Sequence, residues 1–266
     1  MPVVNLPTRG GGTEAYRLKG PQDWNGHGRA NGGNAAAQPK FARIALAAAH
    51  IVADPLADTD PWLKAAIDWD ATIAYRRHLW NLGLGVAEAM DTAQRGGGLD
   101  WPNAIELIRR SVDAARDIPG AAVYSGVGSD QLVPACPVTL DDVIRAYEEQ
   151  IAAVEAAGGR IVLMASRALV MAAKSPDDYA KVYGRILSQV REPVILHWLG
   201  EMFDPALKGY WGHADHVAAM DVCIDIIADH AAKVDGIKLS LLDKDKEIRL
   251  RRKLPQGVRC YTGDDF

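Results

Sequence analysis

From Phe41 onward the chain repeats one texture, a short apolar run followed by a longer stretch with apolar residues at helical spacing. The short runs Arg43–Ala53, Gly85–Met90, Ala121–Ser125, Arg160–Ala165, Pro193–Trp198, Asp235–Leu241 and Val258–Thr262 predict strands. Between them, Asp70–Leu82, Pro102–Arg116, Leu140–Ala157, Pro176–Val190, Ala214–Lys233 and Asp243–Leu254 carry the helical spacing. Thr139 stands before an acidic first turn, and Ser175-Pro176 stand before Asp177, both good helix-start chemistry. The run Arg43–Ala53 is Ala-rich and reads as helix nearly as well as strand. Residues 1–40 differ in kind. Gly10-Gly11-Gly12 and the Gly/Asn/Ala stretch from Asn25 to Gln38 offer too little apolar surface to offset chain entropy. A flexible or peripheral extension is expected there, or a cover for one end of the domain formed by residues 41–266.

Continuous apolar strands alternating with helices describe a parallel sheet covered on both faces. No GxGxxG follows the first strand, and Arg95-Gly96-Gly97-Gly98 lacks the Lys-Ser/Thr of a phosphate-binding loop. A nucleotide-binding open sheet is therefore disfavoured. The fold class expected is α/β, a (β/α)8 TIM-type barrel, and 266 residues suit one such domain. The chain stops at Phe266, directly after the seventh strand, whereas a barrel closes with an eighth. The expectation is a coding sequence, or a piece cut from a longer one, truncated before its last unit.

Composition narrows the function. A net charge of −4 with 24% charged residues leaves no basic stripe for nucleic acid. The cations from Arg249 to Lys253 follow Asp243, Asp245 and Glu247, a pattern of solvated helix faces. Cys136, Cys223 and Cys260 are widely spaced, without metal-ligand spacing, and read as reduced thiols. No apolar run is long enough to span a membrane and no signal layout opens the chain, so the expected location is cytoplasmic.

The sharpest chemistry lies in Val234-Asp235-Gly236-Ile237-Lys238-Leu239-Ser240-Leu241-Leu242. Alternation puts Ile237, Leu239 and Leu241 on one face and Lys238 and Ser240 on the other. A lysine on a strand buried on both faces is costly as an ammonium, and desolvation favours the neutral amine that attacks a ketone or aldehyde. The competing reading places Lys238 at an exposed strand end, reaching solvent or a carboxylate.

Gly236-Ile237-Lys238, a charged helix, and then Tyr261-Thr262-Gly263-Asp264-Asp265 resemble the dihydrodipicolinate synthase/N-acetylneuraminate lyase superfamily. Pro193-Val194-Ile195-Leu196-His197-Trp198 is similar to its strand ending in Tyr-Asn. Ala121 to Gly128 is similar to its strand leading into a G-x-G turn, and Asp91-Thr92-Ala93-Gln94 falls at its G-T-T-G-E loop. The resemblance implies a homo-oligomeric lyase in which Lys238 forms a Schiff base with a small oxo-acid or other carbonyl substrate, and no cofactor. It implies catalytic roles for Lys238, His197 and Thr92, and substrate contacts from Ser125, Ser166, Arg167 and Asp264. His197 replaces the family tyrosine; imidazole also relays protons, although a hydrogen-bonded core histidine fits the pattern too.

Ala93 replaces the second loop threonine, the paired tyrosines are absent, and the carboxylate-binding arginine has only Lys208 and Arg167 as stand-ins. These departures fall on substrate recognition and point to a divergent branch. Gly212-His213-Ala214-Asp215-His216 leaves a second reading open. With His197 it could bind a divalent metal for a metal-dependent aldolase or isomerase, or Asp215 could simply stabilise a helix start. A third reading is a barrel that binds a metabolite without turnover.

Overall fold

In the computed structural model, which describes residues 3–17, 43–60, 63–92, 94–132 and 137–263, the sheet strands pair in the order in which they occur. They are β3 (Leu46–Ala47), β4 (Gly85–Glu88), β5 (Val123–Val127), β6 (Arg160–Met164), β7 (Val194–Leu199), β8 (Val234–Ser240) and β9 (Arg259–Thr262). Every neighbouring pair is parallel. Sequential order with no reversal is the topology of a barrel, not of a doubly wound sheet. Before them, β1 (Val3–Pro7) and β2 (Thr13–Arg17) form an antiparallel hairpin, exposed along nearly its whole length. The sequence reading did not foresee this hairpin, because its strands carry no buried face to set a period.

The helices are α1 (Trp69–Asn81), α2 (Trp101–Ala115), α3 (Leu140–Ala157), α4 (Arg167–Ala172), α5 (Pro176–Leu187), α6 (His216–Asp229) and α7 (Lys244–Lys253). Local chemistry sets their ends. Thr139 Oγ1 accepts from Asp142 N while Asp142 Oδ2 accepts from Thr139 N, a capping box that starts α3. Gly158, at φ 83°, ends α3 in the left-handed conformation that favours glycine. Asp215 and Asp243 cap α6 and α7, which is why both helices begin later than their periodicity suggested. The short α4 was not anticipated; one and a half turns give no readable period.

The outer faces of the strands, with Leu163, Leu196, Trp198 and Ile237, join helix residues such as Ile108 and Ile186 in the main core. The inner faces form a second cluster of Ala87, Met90, Tyr124, Val162, Met164 and Ile195, reached by Leu46 from β3 and Tyr261 from β9. Residues of the first and last sheet strands meet in one cluster, so the sheet curls into a barrel wall. A cavity of about 1140 Å³ lies between Leu46 and Tyr261 and reaches Lys238. Among the described residues, no strand pairs with the outer edge of β3 or β9. No helix among them is long and apolar enough to cross a membrane.

The expected strand Arg43–Ala53 is corrected: only Leu46–Ala47 pair in the sheet. Side chains occupy the backbone groups that a longer ladder would use. Arg76 donates to the carbonyls of Ala49 and His50, Gln94 Nε2 to Ala49 O, and Val52 N donates to Thr72 Oγ1. Alanines have little side chain to hold a strand against that competition.

Candidate active site

Strand register places Met164, His197, Lys238 and Tyr261 side by side across β6 to β9. Met164 and Tyr261 belong to the inner cluster, so this row faces the barrel interior. Lys238 is half-buried and lines the cavity, and His197 is buried at 1% exposure. Lys238 is the fifth of seven residues in β8, in the half nearer the C-terminal strand ends where active sites of these barrels lie.

Two further groups complete the cluster. His197 Nδ1 lies 3.4 Å from Asp91 Oδ2, and His197 Nε2 lies 3.3 Å from Ser240 Oγ. Ser240 is two residues beyond Lys238 and shares its face. Burial raises the Asp91 carboxyl, but His197, 3.4 Å away, and the charge of Lys238 outweigh it and hold the group at about 2. Backbone strain flanks the cluster. Ala89, two residues before Asp91, has φ 53°, and Leu242, two after Ser240, has φ 50°. Gly263 closes over it: a Cβ there would stand 2.8 Å from Lys238 Cε and 2.9 Å from Leu239 O, so only glycine lets the chain pass so near.

The depressed Asp91 pKa makes a stability prediction. Its folded value lies below the ordinary 3.8, so it contributes stability that is fully present above about pH 4 and is lost as pH falls through about 2. At 1.36 kcal/mol per unit this is about 2 kcal/mol. Urea midpoints measured from pH 5 to pH 2 should fall more steeply for the parent than for Asp91→Asn; parallel curves would contradict the assignment.

Other sequence candidates fall elsewhere. Thr92 is exposed, and its neighbour Asp91 is the loop residue that reaches His197. Ser125 alternates with the inward Tyr124 and lies on the outer side, where a Cβ on Gly159 would be 3.3 Å from its Oγ. Ser166 is buried as the cap of α4, accepting from Leu169 N and bonded to Ser129 Oγ at 2.5 Å. Arg167 is exposed and paired with Asp204 at 2.5 Å, and Lys208 is exposed. Asp264 and Cys136 lie outside the described residues, while Cys223 and Cys260 are free thiols.

The histidine cluster does not converge on His197. Asp215 Oδ1 accepts from Ala218 N at the start of α6. His216 Nε2 bonds Glu201 at 3.0 Å, and its ring meets Trp198 edge-on at 6.0 Å, on the opposite side of β7 from His197. Among the described residues, no three His, Cys, Asp or Glu side chains are grouped as metal ligands.

Asp91 and Ser240 are the site groups that sequence reasoning left unassigned. Ser240 had a signal, its shared face with Lys238. Asp91 had only its place beside Thr92, since its partner His197 is more than a hundred residues away.

The chain belongs to the family described as "Protein of unknown function (DUF993)", which matches residues 4–266. No curated protein matches it. Among solved structures it is similar to dihydrodipicolinate synthase from Bacillus clausii, with TM-score 0.54 and 15% identity over 79% of this chain and 58% of that one. It is also similar to 4-hydroxy-tetrahydrodipicolinate synthase from Methylacidiphilum fumariolicum SolV, with TM-score 0.55 and 16% identity over 75% of this chain and 57% of that one. A third is 2-keto 3-deoxygluconate aldolase from Picrophilus torridus, with TM-score 0.51 and 15% identity over 75% and 61%. These likenesses show the shared barrel fold. The chain spans less than two thirds of each of those three proteins.

Proposed function

We infer that this member of the family is a carbon–carbon lyase of aldolase type, in which Lys238 forms a Schiff base with a small oxo-acid or other carbonyl substrate. The observation that carries the reading is the placement of Lys238 on the inner face of β8, in register with His197 and lining the cavity. A 2-keto 3-deoxygluconate aldolase is among the proteins that share its fold, and the resemblance of Gly236-Ile237-Lys238 to the superfamily's lysine strand supports the same reading.

The neutral amine of Lys238 attacks the carbonyl carbon; the C–N bond forms and the C=O π pair moves to oxygen. Proton transfer gives a carbinolamine. Protonation of its hydroxyl releases water as the nitrogen pair forms the iminium. The cationic iminium then accepts the electron pair of the breaking carbon–carbon bond, or, after loss of an α-proton, supplies an enamine that forms one. Product leaves by hydrolysis, which restores the amine. In this reading His197, its register partner on the adjacent strand about 4.8 Å away, exchanges these protons.

Incubating the protein with a panel of 2-oxo acids and aldehydes in the presence of borohydride should give a mass shift that maps to Lys238. An adduct mapped elsewhere in a turning-over protein would remove Lys238 from the mechanism. The same panel identifies the substrate class.

A further inference from the structure

We propose that Asp91, His197 and Ser240 form one proton relay serving the Lys238 amine, with Asp91 as the positioning residue that fixes the tautomer of His197. The proposal rests on the Schiff-base reading and extends it to two residues that reading does not require.

Three parts of the chain meet here: the turn after β4 brings Asp91, β7 brings His197, and β8 brings Ser240 with Lys238. Asp91 Oδ2 is 3.4 Å from Nδ1, and Ser240 Oγ is 3.3 Å from Nε2, so each imidazole nitrogen has a different oxygen beside it. A carboxylate at Nδ1 places the ring proton there and leaves the Nε2 lone pair toward the serine. The arrangement has the Asp–His–Ser order of a hydrolytic triad. Ser240, however, is 2% exposed, and Gly263 packs so close that a Cβ there would overlap both Ser240 Oγ and Lys238 Cε. A hydroxyl so enclosed, on the same strand face as Lys238 and bonded to His197, is suited to pass a proton, not to attack. The strained φ values at Ala89 and Leu242, on the two segments that deliver Asp91 and Ser240, are what a cluster held for function maintains.

The proton balance closes. The Lys238 ammonium gives one proton to Ser240 Oγ while the serine proton moves to His197 Nε2. The resulting imidazolium is stabilised by Asp91. The amine adds to the carbonyl, and the relay carries one proton from nitrogen to the new oxygen. His197 then returns its proton through Ser240 to the hydroxyl, which leaves as water. One ammonium and one carbonyl have become one iminium and one water, and His197 is neutral again.

The test uses the full chain and the carbonyl compound found by trapping, with adduct formation followed in time. Asp91→Ala and Ser240→Ala should each slow adduct formation about 10²–10⁴-fold while the end-point adduct stays on Lys238. Asp91→Glu should recover part of the rate. Nitrogen NMR of the imidazole should show His197 protonated at Nδ1 in the parent, moving toward the Nε2 form in Asp91→Ala, a change that a merely structural role would not produce. If Asp91→Ala does not fold, Asp91→Asn supplies both readouts. Parent-like rates in both alanine variants, an Nε2-protonated parent, or an acyl adduct on Ser240 with activated esters would overturn the relay. If no compound labels Lys238 in the parent, the Schiff-base reading fails, and the NMR result still decides the role of Asp91.

Discussion

A Lys238→Met protein is expected to fold as the parent does and to turn over the trapped carbonyl compound roughly 10⁴- to 10⁶-fold more slowly. That is the scale of loss seen when members of a catalytic triad are removed singly from an otherwise intact site, about 10⁴- to 10⁶-fold. Methionine keeps the length and apolar stem of the lysine, so the inner row Met164–His197–238–Tyr261 keeps its packing. What disappears is the nitrogen that forms the imine. The binding and acid–base groups that remain cannot make the electron sink, so the loss should fall on kcat and leave KM within a small factor. Lys238→Arg should be equally inactive, because a guanidinium does not deprotonate to a nucleophile. Circular dichroism and thermal melting should match the parent. Retained turnover in either variant would refute the covalent mechanism, whatever the fold resembles.

The position of Lys238 was legible because a strand has period two. Apolar Ile237 and Leu239 claim the helix-facing side, which leaves Lys238 and Ser240 for the interior. The parallel units were legible for a related reason: strands buried on both faces are continuous apolar runs, and the helices between them are amphipathic. Thr139 and Asp142 even announced how α3 begins. What was not legible depends on distant partners. Ser125 sits beside the inward Tyr124, but in a run apolar throughout, nothing local says which of the two faces inward. Asp91 acquires its role only once β7 lies across the barrel from its turn. The segment after Arg43 looked like a full strand because its backbone's true partners, Arg76, Thr72 and Gln94, lie on elements that follow it in the chain.

Those partners make the second large effect. Arg76 on α1 and Glu88 on β4 are both fully buried, joined by Nε–Oε2 at 3.0 Å and Nη2–Oε1 at 2.9 Å. Ser111 Oγ donates to Glu88 Oε2 at 2.6 Å, and Arg76 also holds the carbonyls of Ala49 and His50. Glu88 lies within an otherwise apolar strand at 0% exposure, and the Arg76 guanidinium is the opposite charge that meets it there. Arg76→Met should therefore destabilise the protein by about 3–5 kcal/mol, the cost of stranding one charge of a buried pair. Adding Glu88→Leu should recover part of that loss and not all, because the Ala49 and His50 carbonyls stay without the guanidinium. Urea unfolding of the parent, both single variants and the double variant measures this directly. The consequence reaches the site, since Glu88 is three residues before Asp91 and Ala49 O also receives Gln94 Nε2 at 2.5 Å. Arg76→Met should thus loosen the turn that carries Asp91 and slow adduct formation at Lys238 even under conditions where the protein is still folded. A loss below about 1 kcal/mol, or full recovery in the double variant, would show that the pair is replaceable packing and that the Asp91 turn is held by other contacts.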